Sequence, residues 1–216
     1  IDNIDSYGAP TASLTAKTNS VYLSEQALLS DFLLIDAGIR WDQIQYDYAN
    51  LVIGYEPSPS YAAIYEAGKR QFTGGSPALG MTLFPNNPIS LFANANRSFK
   101  VMPMEDFTIF SPSYNANPSV NPQVSDSLEW GINWDVLDRL SVKATAYTSW
   151  IQDEILYQDE FYKNNNFNTK HQGWGVQLSG KPIDALDFKL SYDKDSGTLL
   201  SSSPTGNSMK AGDAIA

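Results

Sequence analysis

The chain of 216 residues contains no cysteine. That removes disulfides, thiolate metal sites and cysteine nucleophiles together, and it leaves the redox compartment open. Histidine is almost absent too: His171 stands alone, at an expected strand start, and no Ser/His/Asp set can be argued around it. Cations are scarce, with 14 Lys and Arg against 24 Asp and Glu and a formal net charge of −10. Nothing here would neutralise phosphates, so nucleic acid is not an expected partner. A cationic ligand or a cation-bridged lipopolysaccharide surface suits such a chain better. Charged residues make up 18%, low for a soluble domain. No uninterrupted apolar run approaches the ~20 residues of a transmembrane helix. The chain opens on Ile1-Asp2-Asn3-Ile4-Asp5, without the basic start and apolar stretch of a signal peptide. No phosphate-cradling glycine loop is present. Asp193-Lys194-Asp195-Ser196-Gly197 lacks the later ligands and terminal Glu of a calcium loop and reads as a polar turn. Asp153-Glu154 and Asp159-Glu160 read as a solvated rim. No catalytic, cofactor or metal residues are expected, and the chain does not read as an enzyme.

What is present is alternation. Leu186, Phe188, Leu190 and Tyr192 fall on one face of an extended segment, and Asp187, Lys189, Ser191 and Asp193 on the other. Eight stretches share this period of two. They begin near residues 16–29 and 33–48, continue through 75–84 and 89–100, and include Leu128–Asp135, Leu140–Ala146, Trp174–Ser179 and Leu186–Asp193. Their connections alternate in length. Ser30-Asp31-Phe32, Pro85-Asn86-Asn87-Pro88, Val136-Leu137-Asp138-Arg139 and Pro182-Ile183-Asp184-Ala185 are tight turns. Long connections cover about 49–72, 101–124 and 158–168, and a Ser/Gly/Thr-rich tail follows Ser196 without a closing strand.

Two architectures share such alternation, a soluble sandwich and a membrane barrel. Sandwich strands are usually nearer five or six residues and need no systematic short–long rhythm. Several stretches here reach ten or more, the ~9–11 residues of a tilted membrane strand. The polar face would line a wet lumen with Arg40, Asn94, Arg97, Glu129, Lys143 and Lys189, and the 12% aromatic content can fill interfacial girdles. The expected fold is an all-β, antiparallel transmembrane barrel wall of about eight strands. A mean hydropathy of −0.30 agrees, since about half of each strand faces lipid.

Several segments then resemble a known family in order along the chain. Ser76-Pro77-Ala78-Leu79-Gly80-Met81-Thr82, followed by Ser90-Leu91-Phe92-Ala93-Asn94-Ala95-Asn96-Arg97-Ser98-Phe99, resembles a paired-strand signature of TonB-dependent outer-membrane receptors. Asn121-Pro122-Gln123-Val124 with Leu128-Glu129-Trp130-Gly131 is similar to their next element, although Gln123 stands where Glu is common. Asp138-Arg139-Leu140-Ser141 fits the usual turn. His171-Gln172-Gly173-Trp174-Gly175-Val176 with Lys181-Pro182-Ile183-Asp184 is similar to a later hairpin, with Gln177 in place of Glu. Leu34-Ile35-Asp36-Ala37-Gly38-Ile39-Arg40-Trp41-Asp42 agrees as well.

The resemblance covers about residues 20–195. It implies a 22-stranded barrel in the outer membrane of a Gram-negative bacterium, filled by an N-terminal plug and importing a scarce nutrient on energy from the TonB complex. Ferric siderophores are the commonest cargo. Residues 1–216 would then be one arc of that barrel, with no plug, TonB-interacting segment or terminal strand recognisable in it. A passive or structural small barrel, porin- or adhesin-like, is the alternative. A barrel protease or lipase comes third, because nucleophile and base are lacking. Expected partners are outer-membrane lipid and lipopolysaccharide, TonB acting through a plug outside this stretch, and a metal-chelate or other small ligand.

Ligand contact is expected on the long connections. Tyr48, Tyr55, Tyr61, Tyr65 and Phe72 cluster in the first; Met102, Met104, Phe107, Phe110 and Tyr114 in the second; Phe161, Tyr162 and Phe167 in the third. Aromatics with few charges suit an aryl or metal-chelate ligand held by stacking and hydrogen bonds. The same residues could instead form the outer girdle or pack loop on loop. Arg40 and Arg97 could attract an anionic chelate from the lumen, or each could pair with a carboxylate such as Asp42 or Glu129.

Overall fold

A computed structural model describes residues 12–55, 63–102, 120–158, 163–201 and 211–215. These form a single antiparallel sheet in which each strand pairs with the next in the chain. Its members are β1 (Ser13–Ser30), β2 (Leu33–Tyr55), β3 (Ala63–Leu83), β4 (Ile89–Lys100), β5 (Gln123–Leu137), β6 (Leu140–Gln158), β7 (Lys163–Ile183), β8 (Leu186–Leu199) and the short β9 (Ala214–Ile215). No helix occurs among the described residues. β1 and β9 are the two edges of a sheet that does not close on itself.

Directly paired residues share a face, so the register sorts the side chains into two surfaces. One row runs Gln26–Asp36–Gly80–Asn94–Glu129–Tyr147–Gly173–Asp195 from β1 to β8. The next row on the opposite face runs Ala27–Ile35–Met81–Ala93–Trp130–Ala146–Trp174 and ends on Lys194. The first surface is polar and concave. The second is apolar and open to its surroundings, with Leu23 at 72% and Leu190 at 67% exposure. Such a surface is tolerable only against lipid or a partner. Burial is inverted relative to a soluble domain: polar rows are sheltered and apolar rows are presented.

Each tight turn contains the expected residues. Asp31-Phe32, Asp138-Arg139 and Asp184-Ala185 are two-residue turns, and the Pro85–Pro88 turn follows Phe84. Neighbouring turns are tied together. The Phe84 amide donates to Phe32 O at 2.7 Å and the two rings lie 6.4 Å apart, which holds Phe84 at a left-handed φ of 55°. Arg139 Nη1 reaches Asp184 Oδ1 at 2.9 Å, and the Lys181 amide donates to Arg139 O at 2.9 Å.

The other rim departs from expectation. β2 and β3 continue as a ladder to Tyr55↔Ala63, with bulges between Tyr48/Leu51 and Val52/Gly54, where a connection over 49–72 was expected. β7 begins at Lys163, inside the expected third connection. The strands outgrow the membrane, and beyond it both faces are wet, so the apolar–polar contrast that marks a strand in sequence disappears. Asp193–Gly197, expected as a polar turn, lies within β8 and pairs with β7. The tail adds β9, which pairs Ala214 and Ile215 with β8.

One ladder is short. β3 and β4 pair from Leu83↔Leu91 only as far as Ala78↔Asn96, next to Pro77, which has no N–H to donate. Above that point the top of β4 rides over the inner face of β3. The Phe99 ring lies directly on Gly74, where any Cβ would collide with it.

Candidate functional site

The inner face at the long-connection rim holds the main apolar cluster of the described residues: Tyr46, Tyr48, Phe72, Met102 and Val120. β2 supplies the tyrosines and β3 supplies Phe72, all with the inward parity of Arg40. Tyr46 and Phe72 meet edge to face, with ring centroids 6.0 Å apart at 75°. The Tyr46 hydroxyl donates to Met102 O at 2.9 Å. Arg70, paired across from Tyr46, donates from Nη1 to Val120 O at 2.9 Å, and its guanidinium stands 4.8 Å over the Phe72 ring. Two side chains therefore hold the departing and returning ends of the 102–120 connection against the wall. Asn166 holds the returning end from the other side. Its Oδ1 accepts from the Asn121 amide at 2.7 Å, and its Nδ2 donates to Asn121 O at 3.0 Å and Asp153 O at 2.7 Å.

Tyr48 donates to Glu66 Oε1 at 3.0 Å over Gly68, which leaves room for the ring. Burial pushes the Tyr48 phenol above its ordinary value, and the bond to the Glu66 carboxylate pushes it further. The folded state thus favours the protonated phenol. Its contribution is complete below the ordinary tyrosine pKa of about 10 and is lost as pH rises through the raised value. An ultraviolet difference titration of wild type against Tyr48→Phe is expected to place this phenol above ordinary tyrosine. Glu66→Gln should leave it raised, since burial is the larger cause. A midpoint at or below the ordinary value would contradict the arrangement.

Lower on the inner face, Arg40 is held by Asp42. Its Nε lies 2.9 and 3.0 Å from the two carboxylate oxygens, its Nη2 lies 2.9 Å from Oδ1, and Ser20 completes the knot. Below it lies a concavity of about 740 Å³, floored by Gly38, Ala78 and Gly80 and edged by Asp36, Asn94 and Glu129. Toward β7, Glu154 accepts from Thr169 and lies 3.0 Å from His171 Nε2. His171 thus has a carboxylate partner, brought to it by the bulge between Ile151 and Glu154. It sits in mid-strand rather than at a strand start. No group of three or more potential metal-ligating side chains occurs among the described residues.

The expected ligand residues are distributed unevenly. Phe72, Met102 and Tyr48 come together in the rim cluster. Phe167 is buried elsewhere, with Thr169 and Leu199 as the other fully buried side chains. Tyr65 is exposed, and Tyr55 ends β2. Tyr61, Met104, Phe107, Phe110, Tyr114, Phe161 and Tyr162 lie outside the described residues. Arg97, expected on the lumen side, faces the opposite way. It alternates with Asn94 and Asn96, shares the parity of Ala93 and Ala95, and pairs with Asp126 rather than Glu129. Charge suggested the lumen, whereas parity counted from Ala93 gives the outer face. Tyr46 and Arg70 were not singled out from sequence; the signal was their spacing of two from Tyr48 and Phe72, readable once β2 and β3 are extended.

A family model described as TonB dependent receptor-like, beta-barrel, matches residues 1–211. The probable TonB-dependent siderophore receptor PiuA of Acinetobacter baumannii is 26% identical over 201 residues, covering 92% of this chain and 25% of the relative. The crystal structure of PiuA superposes with a TM-score of 0.68 at 23% identity, covering 95% of this chain and 28% of that one. The ferric-catecholate import receptor Fiu of E. coli K12, in its closed form, gives 0.69 at 17% identity over 89% of this chain and 29% of its own. The copper transporter OprC gives 0.70 at 16% over 86% and 30%. These structural likenesses concern the fold. The chain spans about a quarter of the length of the curated relative it matches.

Proposed function

The chain belongs to the TonB-dependent receptor family, as part of its β-barrel, and from that premise we propose that the whole protein imports a ferric siderophore across the outer membrane. The family consists of outer-membrane transport receptors of Gram-negative bacteria, not enzymes. Residues 1–216 form one arc of the wall. Remaining strands, a plug and the segment that contacts TonB belong to the rest of the receptor, and TonB supplies the energy. The observation that carries the cargo class is the 26% identity, over 92% of this chain, to a probable siderophore receptor.

The inner rim suits that cargo. Tyr46, Tyr48, Phe72 and Met102 are themselves buried and, with Arg70 beside the Phe72 ring, form a packed base that fixes the two ends of the 102–120 connection. In this reading a planar, anionic metal chelate is held by aromatic residues of the long connections, and the base acts by anchoring one of those connections at both ends. The further contacts proposed are the exposed Tyr65 and, from the expected set, Tyr55, Tyr61, Met104, Phe107, Tyr114, Phe161 and Tyr162, with Arg40 on the inner face; Phe167, fully buried, is not among them. Below, the Gly-floored concavity leaves room along the inner wall.

A deletion strain grown on single iron sources tests the reading. Growth is expected to fail on one class of ferric chelate and to return when the gene is restored. Equal growth of mutant and parent on every ferric chelate would overturn it.

A further inference from the structure

Above the Ser149↔His171 pair the regular ladder between β6 and β7 breaks. Ile151 pairs with Thr169 and Glu154 with Phe167, so Gln152 and Asp153 both stand opposite the single residue Asn168. This bulge puts Asp153 at a φ of 55°. That left-handed conformation costs a residue other than glycine, though Asp less than most, and it persists where the surroundings hold it. The holders are two asparagines of β7. Asn168 Oδ1 accepts from the Asp153 amide at 3.1 Å, and Asn166 Nδ2 donates to the Asp153 carbonyl at 2.7 Å. The next two residues of β6 are held as well. Glu154 accepts from Thr169 and lies 3.0 Å from His171 Nε2, and the Ile155 amide donates to Gln123 Oε1 at 3.4 Å.

The same two asparagines also reach past the bulge, in opposite directions. Asn166 brackets Asn121: its Oδ1 accepts from the Asn121 amide at 2.7 Å, and its Nδ2 donates to the Asn121 carbonyl at 3.0 Å. That grips the returning end of the 102–120 connection. Asn168 meets the departing end of the connection between β8 and β9. Its carbonyl accepts from the Leu200 amide at 2.7 Å, and its amide donates to Ser201 Oγ at 3.3 Å. β6 and β7 are themselves the two stems of the 158–163 connection. Three connections therefore meet at one bulge. Ile155, at its upper end, packs against the rim cluster of Tyr46, Tyr48 and Phe72.

We propose that Asn166 and Asn168 are positioning residues: through the bulge they join the ends of three connections into one cooperative unit, on which cargo binding depends. The two Nδ2 hydrogens of Asn166 are divided between Asn121 and Asp153, so loss of the left-handed turn at Asp153 removes one of its anchors. Asn168 uses its side chain on the bulge and its backbone on Leu200 and Ser201, so displacement of the bulge is passed on to that end as well. Bulges re-aim side chains beside functional sites, and the residues re-aimed here are Glu154 and Ile155. A ladder without the extra residue would turn Glu154 away from Thr169 and His171, because a slip of one residue exchanges the two faces. Segments tied by shared bonds of this kind open together rather than one by one. The coupling stands on these contacts alone; its effect on binding rests on the chelate reading proposed above.

The test compares amide hydrogen exchange in the full-length receptor in detergent, without cargo, between wild type, Asn166→Ala and Asn168→Ala. The crossed effects are decisive. Asn168→Ala, which removes the bond to the Asp153 amide, should quicken exchange at Asn121 about tenfold, and Asn166→Ala should do the same at Leu200. Adding Asp153→Gly to Asn168→Ala should restore roughly half of the lost protection or more, because glycine takes the left-handed turn without being held. Exchange changes confined to each asparagine's own partners, or no rescue by Asp153→Gly, would overturn the proposal. On the same variants, affinity for the tightest binder among a panel of ferric catecholates and ferric hydroxamates should fall about tenfold and recover with Asp153→Gly. Unchanged affinity alongside crossed exchange would overturn the positioning role. A wild type that binds no ferric chelate would sink the cargo reading instead, and the exchange results would still decide the coupling. If Asn168→Ala gives no folded, heat-modifiable band, Asn168→Ser replaces it under the same criteria.

Discussion

Gly131→Val is expected to lower the yield of folded receptor in the outer membrane about tenfold or more, read as loss of the heat-modifiable band on electrophoresis. Gly131 lies on the inner face of β5, paired with Phe92 of β4 and Thr145 of β6. A Cβ there would collide with the Ala144 carbonyl oxygen and come within 2.6 Å of Phe92 Cζ. The first contact is with backbone in the neighbouring strand, so it is relieved only by parting β5 from β6. The second is with the Phe92 ring, which would have to move out of its contact with the Lys143 ammonium, 5.0 Å from the ring centre. Overpacking of this kind costs about 1–3 kcal/mol even where side chains can yield, and here a ladder is displaced as well. Phe92→Ala, which frees the ring position but not the carbonyl, should rescue Gly131→Ala only in part. Wild-type yield of Gly131→Val would show that β5 and β6 lie farther apart than their register implies.

Arg70→Ala is expected to weaken chelate binding about tenfold or more while leaving the barrel folded. The lost contact is a charged donor on the Val120 carbonyl, of a kind worth about 1.5–3 kcal/mol, together with the stack over Phe72. The returning end of the 102–120 connection then depends on Asn166 alone among the contacts described above. Amide hydrogen exchange at Asn121 and Gln123 should quicken in the variant, a readout that needs no knowledge of the cargo. Arg70→Lys keeps the charge but not the planar fork and should recover less than half of the effect. Unchanged affinity together with unchanged exchange would remove Arg70 from the binding machinery. Faster exchange with unchanged affinity would separate the connection from the cargo.

The half of the wall near the tight turns was legible in the sequence, and the other half was not, for one physical reason. Where one face meets lipid and the other water, alternation is strict, and Leu186–Asp193 or Leu33–Asp42 can be read residue by residue. Past the membrane that contrast lapses. Phe72 therefore looked like a loop aromatic and proved to be a strand residue facing inward, while Tyr46 and Arg70 carried no mark of their role. Chemistry also misled where geometry would not have: Arg97 was assigned to the lumen for its charge, though two steps from Ala95 place it outside. The His171–Glu154 contact depends on a bulge that shifts the register between Ile151 and Glu154, and nothing in the spacing of those residues announced it.

The alternation also bears on how such a chain reaches its destination. Because polar residues interrupt every apolar run long before the ~20 residues of a transmembrane helix, this stretch of unfolded polypeptide offers no segment that a translocon would release sideways into the inner membrane. Its affinity for lipid is not stored in any stretch of sequence. It comes into being when strand pairing gathers the apolar half of each strand onto one surface, so the export route can treat the chain as water-compatible and the outer membrane can capture it only as it folds.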